Sequence, residues 1–165
     1  MRIKTLCLIS GLALIAANAI ANELQIPVYS TSNPDKSIGT VTFQDTDYGL
    51  LITPKLKGLP SGIKGFHIHQ NNNCGAQGKN AGGHYDPDKT NTHQGPYGKG
   101  HLGDLPALCV NDKGEATLPT LAPRLTTKDL KARALIVHEN GDTYSDVPPL
   151  GGGGSRIACG VFPAK

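Results

Sequence analysis

Residues Gly65–Cys74 read GFHIHQNNNC: two histidines one residue apart, a run of amides, then a cysteine. How His67 and His69 are spaced decides the local structure. On a strand, residues i and i+2 point to the same side with Cα atoms roughly 7 Å apart, so two imidazoles can converge on one ion. On a helix the same pair would diverge by about 200° and could not. Phe66 and Ile68 alternate with the histidines, which is the pattern of a strand with apolar groups on one side and imidazoles on the other. Taken alone, a His-x-His pair reads first as two unligated surface side chains, so its meaning depends on the rest of the chain.

The rest of the chain extends the strand reading. With 21 glycines and 12 prolines in 165 residues, and few segments of 3.6-residue periodicity, the composition is that of an all-β domain cut by turns. Candidate strands are Leu24–Tyr29, Ser37–Gln44, Tyr48–Leu56, Gly65–His69, Ala107–Asn111, Glu115–Ala122, Arg133–Glu139 and Arg156–Val161. The segment NDKG, Asn111–Gly114, supplies a hairpin turn, and TTKDLKAR, Thr126–Arg133, suits one or two helical turns behind a threonine cap. Short strands in this number around one core predict a Greek-key β-sandwich or a flattened eight-stranded β-barrel. The length fits one domain with a substantial core.

Positions 1–21, MRIKTLCLISGLALIAANAIA, begin with two cations, pass through a short apolar run and end in small-x-small triplets. This is the pattern of a secretory signal peptide, cut after Ala21 or alternatively Ala19, with residues 22–165 as the mature domain. Its apolar run is short for a membrane span, which needs about 20 residues. The expected location is therefore periplasmic or secreted, with no membrane attachment once the signal is gone. Losing Arg2 and Lys4 leaves 14 Lys+Arg against 13 Asp+Glu, so net charge names no partner. There is no basic cluster or aromatic stacking series to bind nucleic acid. Cys7 leaves with the signal, and Cys74, Cys109 and Cys159 remain for one disulfide and one spare thiol; spacing alone permits any of three pairings. Cys109, inside the apolar run LPALCV, reads as a buried, inert thiol.

Two connections, Gln70–Leu105 and Asn140–Ser155, are too long to be plain turns; unstructured loops beyond about 12–15 residues are usually functional or disordered. The first is rich in Gly and Asn and cannot build a core, so metal ligation and a disulfide are the available means of ordering it. It carries His84, His93 and His101 at spacings of nine and eight, with Asp104 three residues further on. Zinc takes four N, S or O ligands in a tetrahedron, and three His with one Asp complete a closed shell that orders structure and leaves no position for hydrolysis. The remaining set, His67, His69 and His138, is rich in nitrogen and suits copper. A loop histidine shared as an imidazolate would let seven residues hold two ions. A dinuclear hydrolase would want open positions and carboxylate bridges, and Asp104 is the single ligating carboxylate. The run Gly151–Gly154 lacks the Lys-Ser/Thr of a phosphate loop and reads as chain that must pass close to other backbone.

The motifs GFHIH, GGHYDP, GPYGKGHLGDLPAL, LAPRL, IVHENGD and PLGGGGSRIACGV, taken together in order and spacing, resemble the secreted bacterial branch of the copper,zinc superoxide dismutases from about Thr40 to Pro163. The resemblance implies one copper per chain on His67, His69, His84 and His138, and one zinc per chain on His84, His93, His101 and Asp104, with His84 as the bridge. It implies that Asp142 links a copper ligand to a zinc ligand, a role that fits the need of ligating imidazoles for an acceptor on their other N–H. It implies Arg156, three residues before Cys159, as the guanidinium that attracts and orients a small anion, and a Cys74–Cys159 disulfide. Such a disulfide would contribute roughly 4–5 kcal/mol on the chain-entropy model. The implied activity is disproportionation of superoxide, with Arg156 and His84 as the catalytic side chains; the alternative is a copper and zinc storage or delivery module without turnover. Lys79, Lys99, Lys128 and Lys131 are candidates for steering the anion. Members of this branch occur as monomers and dimers, and a homodimer stays open because the metal motifs do not encode a contact surface.

Overall fold

A computed structural model describes residues 23–164; the expected signal segment, with Cys7, lies outside the described residues. The strands are β1 Glu23–Ser30, β2 Ser37–Thr46, β3 Gly49–Lys57, β4 Gly62–Lys64, β5 Phe66–His69, β6 Leu108–Val110, β7 Glu115–Ala116, β8 Thr120–Ala122, β9 Ala134–His138 and β10 Arg156–Val161. An antiparallel sheet of eight runs β5-β9-β10-β1-β2-β3-β7, with β8 also on β3, and β4 and β6 form a separate pair. This sheet curls into a half-barrel, as the all-β expectation requires.

Alternation along the strands builds the core. Ile26 and Val28 of β1, Val41 and Phe43 of β2, and Leu50, Ile52 and Leu56 of β3 all point inward and are buried. They meet Phe66 and Ile68 of β5, Leu135 and Val137 of β9, and Phe162, whose ring lies edge-on to Phe43 with centroids 5.0 Å apart. The chain leaves β8, paired with β3, and crosses to β9 between β5 and β10, which is the Greek-key connection. A 3-10 turn at Thr127–Leu130 lies in that crossing, where the Asp129 carboxylate accepts from both the backbone N–H and the hydroxyl of Thr126.

Three expectations change. The strand drawn over Gly65–His69 begins at Phe66, because β4 and β5 belong to different sheets and Gly65 is the hinge between them. A Cβ at Gly65 would stand 3.2 Å from His67 Cε1 and 3.3 Å from His138 Cβ. The strand drawn over Glu115–Ala122 divides into β7 and β8, which pair with separate stretches of β3. Pro119 falls in the gap and has no N–H for a ladder. Cys109 is free, as expected, but exposed rather than buried. On β6, Leu108 and Val110 face the core while Cys109 faces out, paired across to Ile63, itself 53% exposed. The apolar run was thus a one-sided strand, and a period of two places its middle residue in solvent.

The long loop returns to the barrel at its outer face. Ala81 packs with Ala134, Ile136 and Cys159 as a second small core, beside Cys74. The Cys74–Cys159 disulfide forms there and ties this loop to β10.

Candidate metal centre

His67 and His69 leave β5 on the side away from Phe66 and Ile68, and both are fully buried. His138 ends β9, the neighbour of β5, where its N–H donates to the Gly65 carbonyl at 2.8 Å. Two isolated antiparallel bridges, His69 with His84 and His67 with Asp104, bring the long loop against β5. Gly103 allows this approach, since its N–H donates to the Tyr85 carbonyl and its own carbonyl accepts from Ile68 N–H, each at 2.8 Å. Sequence positions 67 to 138 thereby collect around His84. Its ring centroid lies 4.0 Å from that of His67, 4.9 Å from His69, 5.1 Å from His93, 5.4 Å from His101 and 6.2 Å from His138.

The donor atoms sort into two groups that share His84. His67, His69, His84 and His138 form one, and His84, His93, His101 and Asp104 the other, with ligand atoms inside each group within 4.8 Å of one another. Four of the rings have one nitrogen committed outside their own group. His67 and His93 each direct Nε2 to the Asp142 carboxylate at 2.7 Å, one to each oxygen. His69 Nδ1 donates to the Gly82 carbonyl at 3.0 Å and His138 Nδ1 to the Gly154 carbonyl at 3.3 Å. What remains points inward. Nδ1 of His67, of His93 and of His101 is buried without a hydrogen-bond partner, and Nε2 of His69 and of His138 face each other at 3.4 Å.

Buried nitrogens without partners normally cost about 1–3 kcal/mol each, so several of them aimed at common points fit cations better than they fit a dry core. His84 Nδ1 meets Asp104 Oδ1 at 2.9 Å, while His93 Nδ1 and His101 Nδ1 stand 3.0 and 3.5 Å from the two oxygens of that carboxylate. Three imidazoles and a carboxylate suit zinc, and the nitrogen-only group suits copper.

The electrostatics follow from burial. Desolvation pushes His67 down to about 3 and His138 to about 4, and lowers His69 and His84 as well, so in the metal-free protein these rings are neutral and offer lone pairs. For His93 burial is opposed and outweighed by the carboxylates of Asp104 and Asp142, which raise it to about 9. Burial would raise both of those carboxylates, but the rings of His84 and His93 against Asp104, and of His67 and His93 against Asp142, hold them well below the usual range.

The second long connection closes over the nitrogen-only group. A cavity of about 170 Å³ is lined by His84, His138, Pro149, Leu150, Gly153, Gly154 and Arg156. The glycine run passes close to side chains rather than chiefly to backbone: a Cβ at Gly153 would lie 2.9 Å from His138 Cγ, and one at Gly151 would collide with Asp142 and His93. Arg156 donates to the carbonyls of Gly78 and Gly82, both at 2.6 Å. Because Gly82 also accepts from His69, one carbonyl fixes the guanidinium relative to an imidazole of the group.

The seven expected ligands, Asp142 and Arg156 all lie in or beside this constellation, with the disulfide behind it. Two arginines were not singled out. Arg133 donates to the Gln70 carbonyl at 2.7 Å and lies 4.2 Å above the Tyr85 ring, fastening the loop on both sides of the disulfide segment. Arg124 holds the loop further along. Both occur in or beside matched motifs, but nothing in their spacing announces backbone carbonyls as partners.

Comparison with known proteins supplies the remaining findings. The family model for copper/zinc superoxide dismutase (SODC) matches residues 37–162. A Cu-Zn superoxide dismutase of Legionella pneumophila is 55% identical over 159 residues, covering 96% of this chain and 98% of the relative. Among solved structures, the Cu/Zn superoxide dismutase from Brucella abortus superposes with a TM-score of 0.80 at 41% identity, covering 85% of this chain and 99% of that one. The solution structure of the monomeric copper, zinc superoxide dismutase from Salmonella enterica gives 0.75 at 47% identity, with coverages of 85% and 99%.

Proposed function

The chain belongs to the copper/zinc superoxide dismutase family, and from that premise we propose that His67, His69, His84 and His138 hold copper, and that His84, His93, His101 and Asp104 hold zinc. The reaction is disproportionation of superoxide to oxygen and hydrogen peroxide. Copper, when bound, supplies the one-electron couple this needs, whereas zinc has no second accessible oxidation state and serves structure. The observation that carries the assignment is the ring of His84 standing within 6.2 Å of all five other imidazoles, with Nδ1 turned to Asp104.

The chain's own residues divide the remaining work. Arg156 lines the same small cavity as His84 and His138. A fixed guanidinium there attracts and orients a small anion and gives a bulky one no seat. His84 Nδ1 is committed to the Asp104 side, so Nε2 is the atom that can hold a proton on the side facing the cavity and pass it to the departing peroxide. Asp142 grips His67 and His93 at once and keeps the two halves of the site in register. The glycine loop excludes bulk water from His138.

Location outside the cytoplasm belongs to the same proposal, with removal of residues 1–21 leaving a mature domain of 22–165. Support comes from the charged, apolar and small-residue segments of positions 1–21 and from a disulfide, which persists in oxidising compartments.

Metal analysis of the mature protein, with a copper paramagnetic resonance spectrum, tests the ligand assignment: one copper and one zinc per chain and a nitrogen-rich spectrum are expected. Superoxide removal by metal-loaded protein should fall as salt rises, and in Arg156→Ala the rate should drop on the order of tenfold with a shallower salt dependence. Removal no faster than that of metal-free protein would refute the proposal.

A further inference from the structure

We propose that Arg124 is a positioning residue for the zinc half of the site, gathering the turn over residues 95–101 by its carbonyls and presetting His93 and His101 before the ion arrives. The inference rests on the zinc assignment above. Arg124 donates from Nε to the Pro96 carbonyl at 3.1 Å, from Nη1 to Gly100 at 3.0 Å, and from Nη2 to His101 at 2.5 Å and Gly95 at 3.5 Å. All four acceptors are main-chain oxygens of one short stretch, and one belongs to a residue of the zinc group itself.

Such a stretch has little else to hold it. GPYGKGH contains three glycines, and Tyr97, its one large side chain, is 74% exposed. Its other backbone ties are His101 N–H to the Thr92 carbonyl at 2.9 Å, Lys99 N–H to Gln94 Oε1 at 3.1 Å, and two long bonds at 3.4 Å, from Gly98 N–H to the Gly95 carbonyl and from Asp104 N–H to that of His101. Carbonyls that converge on one point repel one another unless a cation or donor sits between them. A guanidinium satisfies both needs, because its planar fork carries five donors and a charge that does not titrate away.

Arg124, in turn, stands on firm ground. It follows β8 directly, between Ala122 and Leu125, which are 2% and 1% exposed within the core. The turn rests on Gly49, where a Cβ would come within 2.5 Å of Pro123 Cα. Three residues on, Thr127 is bonded through its N–H and its hydroxyl to Asp45 of β2, both at 2.7 Å. The barrel's Greek-key crossing thus transmits its rigidity to a loop that has no core of its own. Arg124 touches neither the imidazoles nor the carboxylate of the zinc group, so its effect runs through backbone placement.

Zinc affinity of metal-free, disulfide-intact protein, measured by competition with a chromogenic chelator, tests this in the wild type, Arg124→Gln and Arg124→Lys. Cobalt(II) absorption serves as a second readout of the same site, and Leu125→Ala as a control that loosens the same turn without removing a donor. Arg124→Gln should lose zinc affinity by about 10- to 100-fold and shift the cobalt spectrum, with copper affinity at the other group unchanged. Arg124→Lys should recover part of the loss, since a point charge cannot span four carbonyls. Wild-type zinc affinity in Arg124→Gln would overturn the inference, as would an equal loss in Leu125→Ala. If Arg124→Gln does not fold, Arg124→Lys is judged by the same criterion. A wild type whose zinc binding is indifferent to His101→Ala would refute the zinc assignment instead, which keeps the two failures distinct.

Discussion

Asp142 shows how one side chain can serve two groups of ligands. Its two oxygens each take a ring nitrogen at 2.7 Å, from His67 on one side and His93 on the other, and a third contact from Tyr144 N–H at 2.7 Å sets the carboxylate's angle. The orientation matters because a ligating imidazole can rotate about its own bond unless its far nitrogen is held. Asp142→Asn keeps the shape but offers a single acceptor oxygen, so one of the two rings loses its partner. We expect affinity for copper or for zinc, measured by chelator competition, to fall about 10- to 100-fold, with thermal stability of the metal-free protein falling as well. Unchanged affinity for both metals would mean that the rings are held by packing alone. The identity of Asp142 was legible only through its motif. In isolation NGD reads as a turn, and nothing local indicates that residue 142 reaches residues 67 and 93.

At the scale of elements, the two long connections behave differently. Gln70–Leu105 is held from outside by the disulfide, by Arg124, Arg133 and Arg156, and by bridges to β5. Sequence pointed to metal and disulfide as the means of ordering it; the arginine forks are a third, and they act on carbonyls, which leave no trace in composition. Asn140–Ser155 is instead shaped by close approach. Gly151 has φ +73° and faces Asp142 and His93, so a methyl group there is excluded both by conformation and by space. Gly151→Ala should push Asp142 off its two rings and lower retention of both metals on the order of tenfold, read by metal content after dialysis against a chelator. Equal retention would show that the loop can move aside. The divided strands at Lys64/Phe66 and Ala116/Thr120 belong to this scale too. Each break occurs where a Gly or Pro permits a change of sheet or pairing partner, and propensity does not specify which partner is chosen.

The whole molecule is a barrel that stores unfilled polar chemistry in its wall, and its stability should report this through pH. His67 at about 3 and His138 at about 4 lie below the unfolded value of 6.5, so between 6.5 and those values the unfolded chain binds more protons. Stability of the metal-free protein therefore falls as pH drops from 6.5 toward 3. His93 works in the other direction. Raised to about 9, it binds a proton in the folded state that the unfolded chain releases above 6.5, and its contribution is lost as pH rises toward 9. Urea midpoints of metal-free protein should accordingly peak near neutral pH and decline on both sides, and bound metals should raise the midpoint near neutral pH but steepen the acid limb, because protons compete with the cations for the same ligand atoms. A midpoint that keeps climbing from pH 7 to 9 would contradict the His93 environment.

Sequence by itself determined the all-β class, the strand that carries His67 and His69, the ligand residue types and their order, and the family. These are properties of local periodicity and of motif, and a chain displays them without being folded. It did not determine that Cys109 faces solvent, where the two strands divide, or which carbonyls the arginines hold. Those depend on which face of a strand is covered and on which distant segments meet, and both are decided by the packing of the whole chain. Five rings converge on that of His84 for the same reason: the bridges of the long loop to β5 and the pairing of β5 with β9 bring residues 67 to 138 together, and only the folded sheet makes both at once.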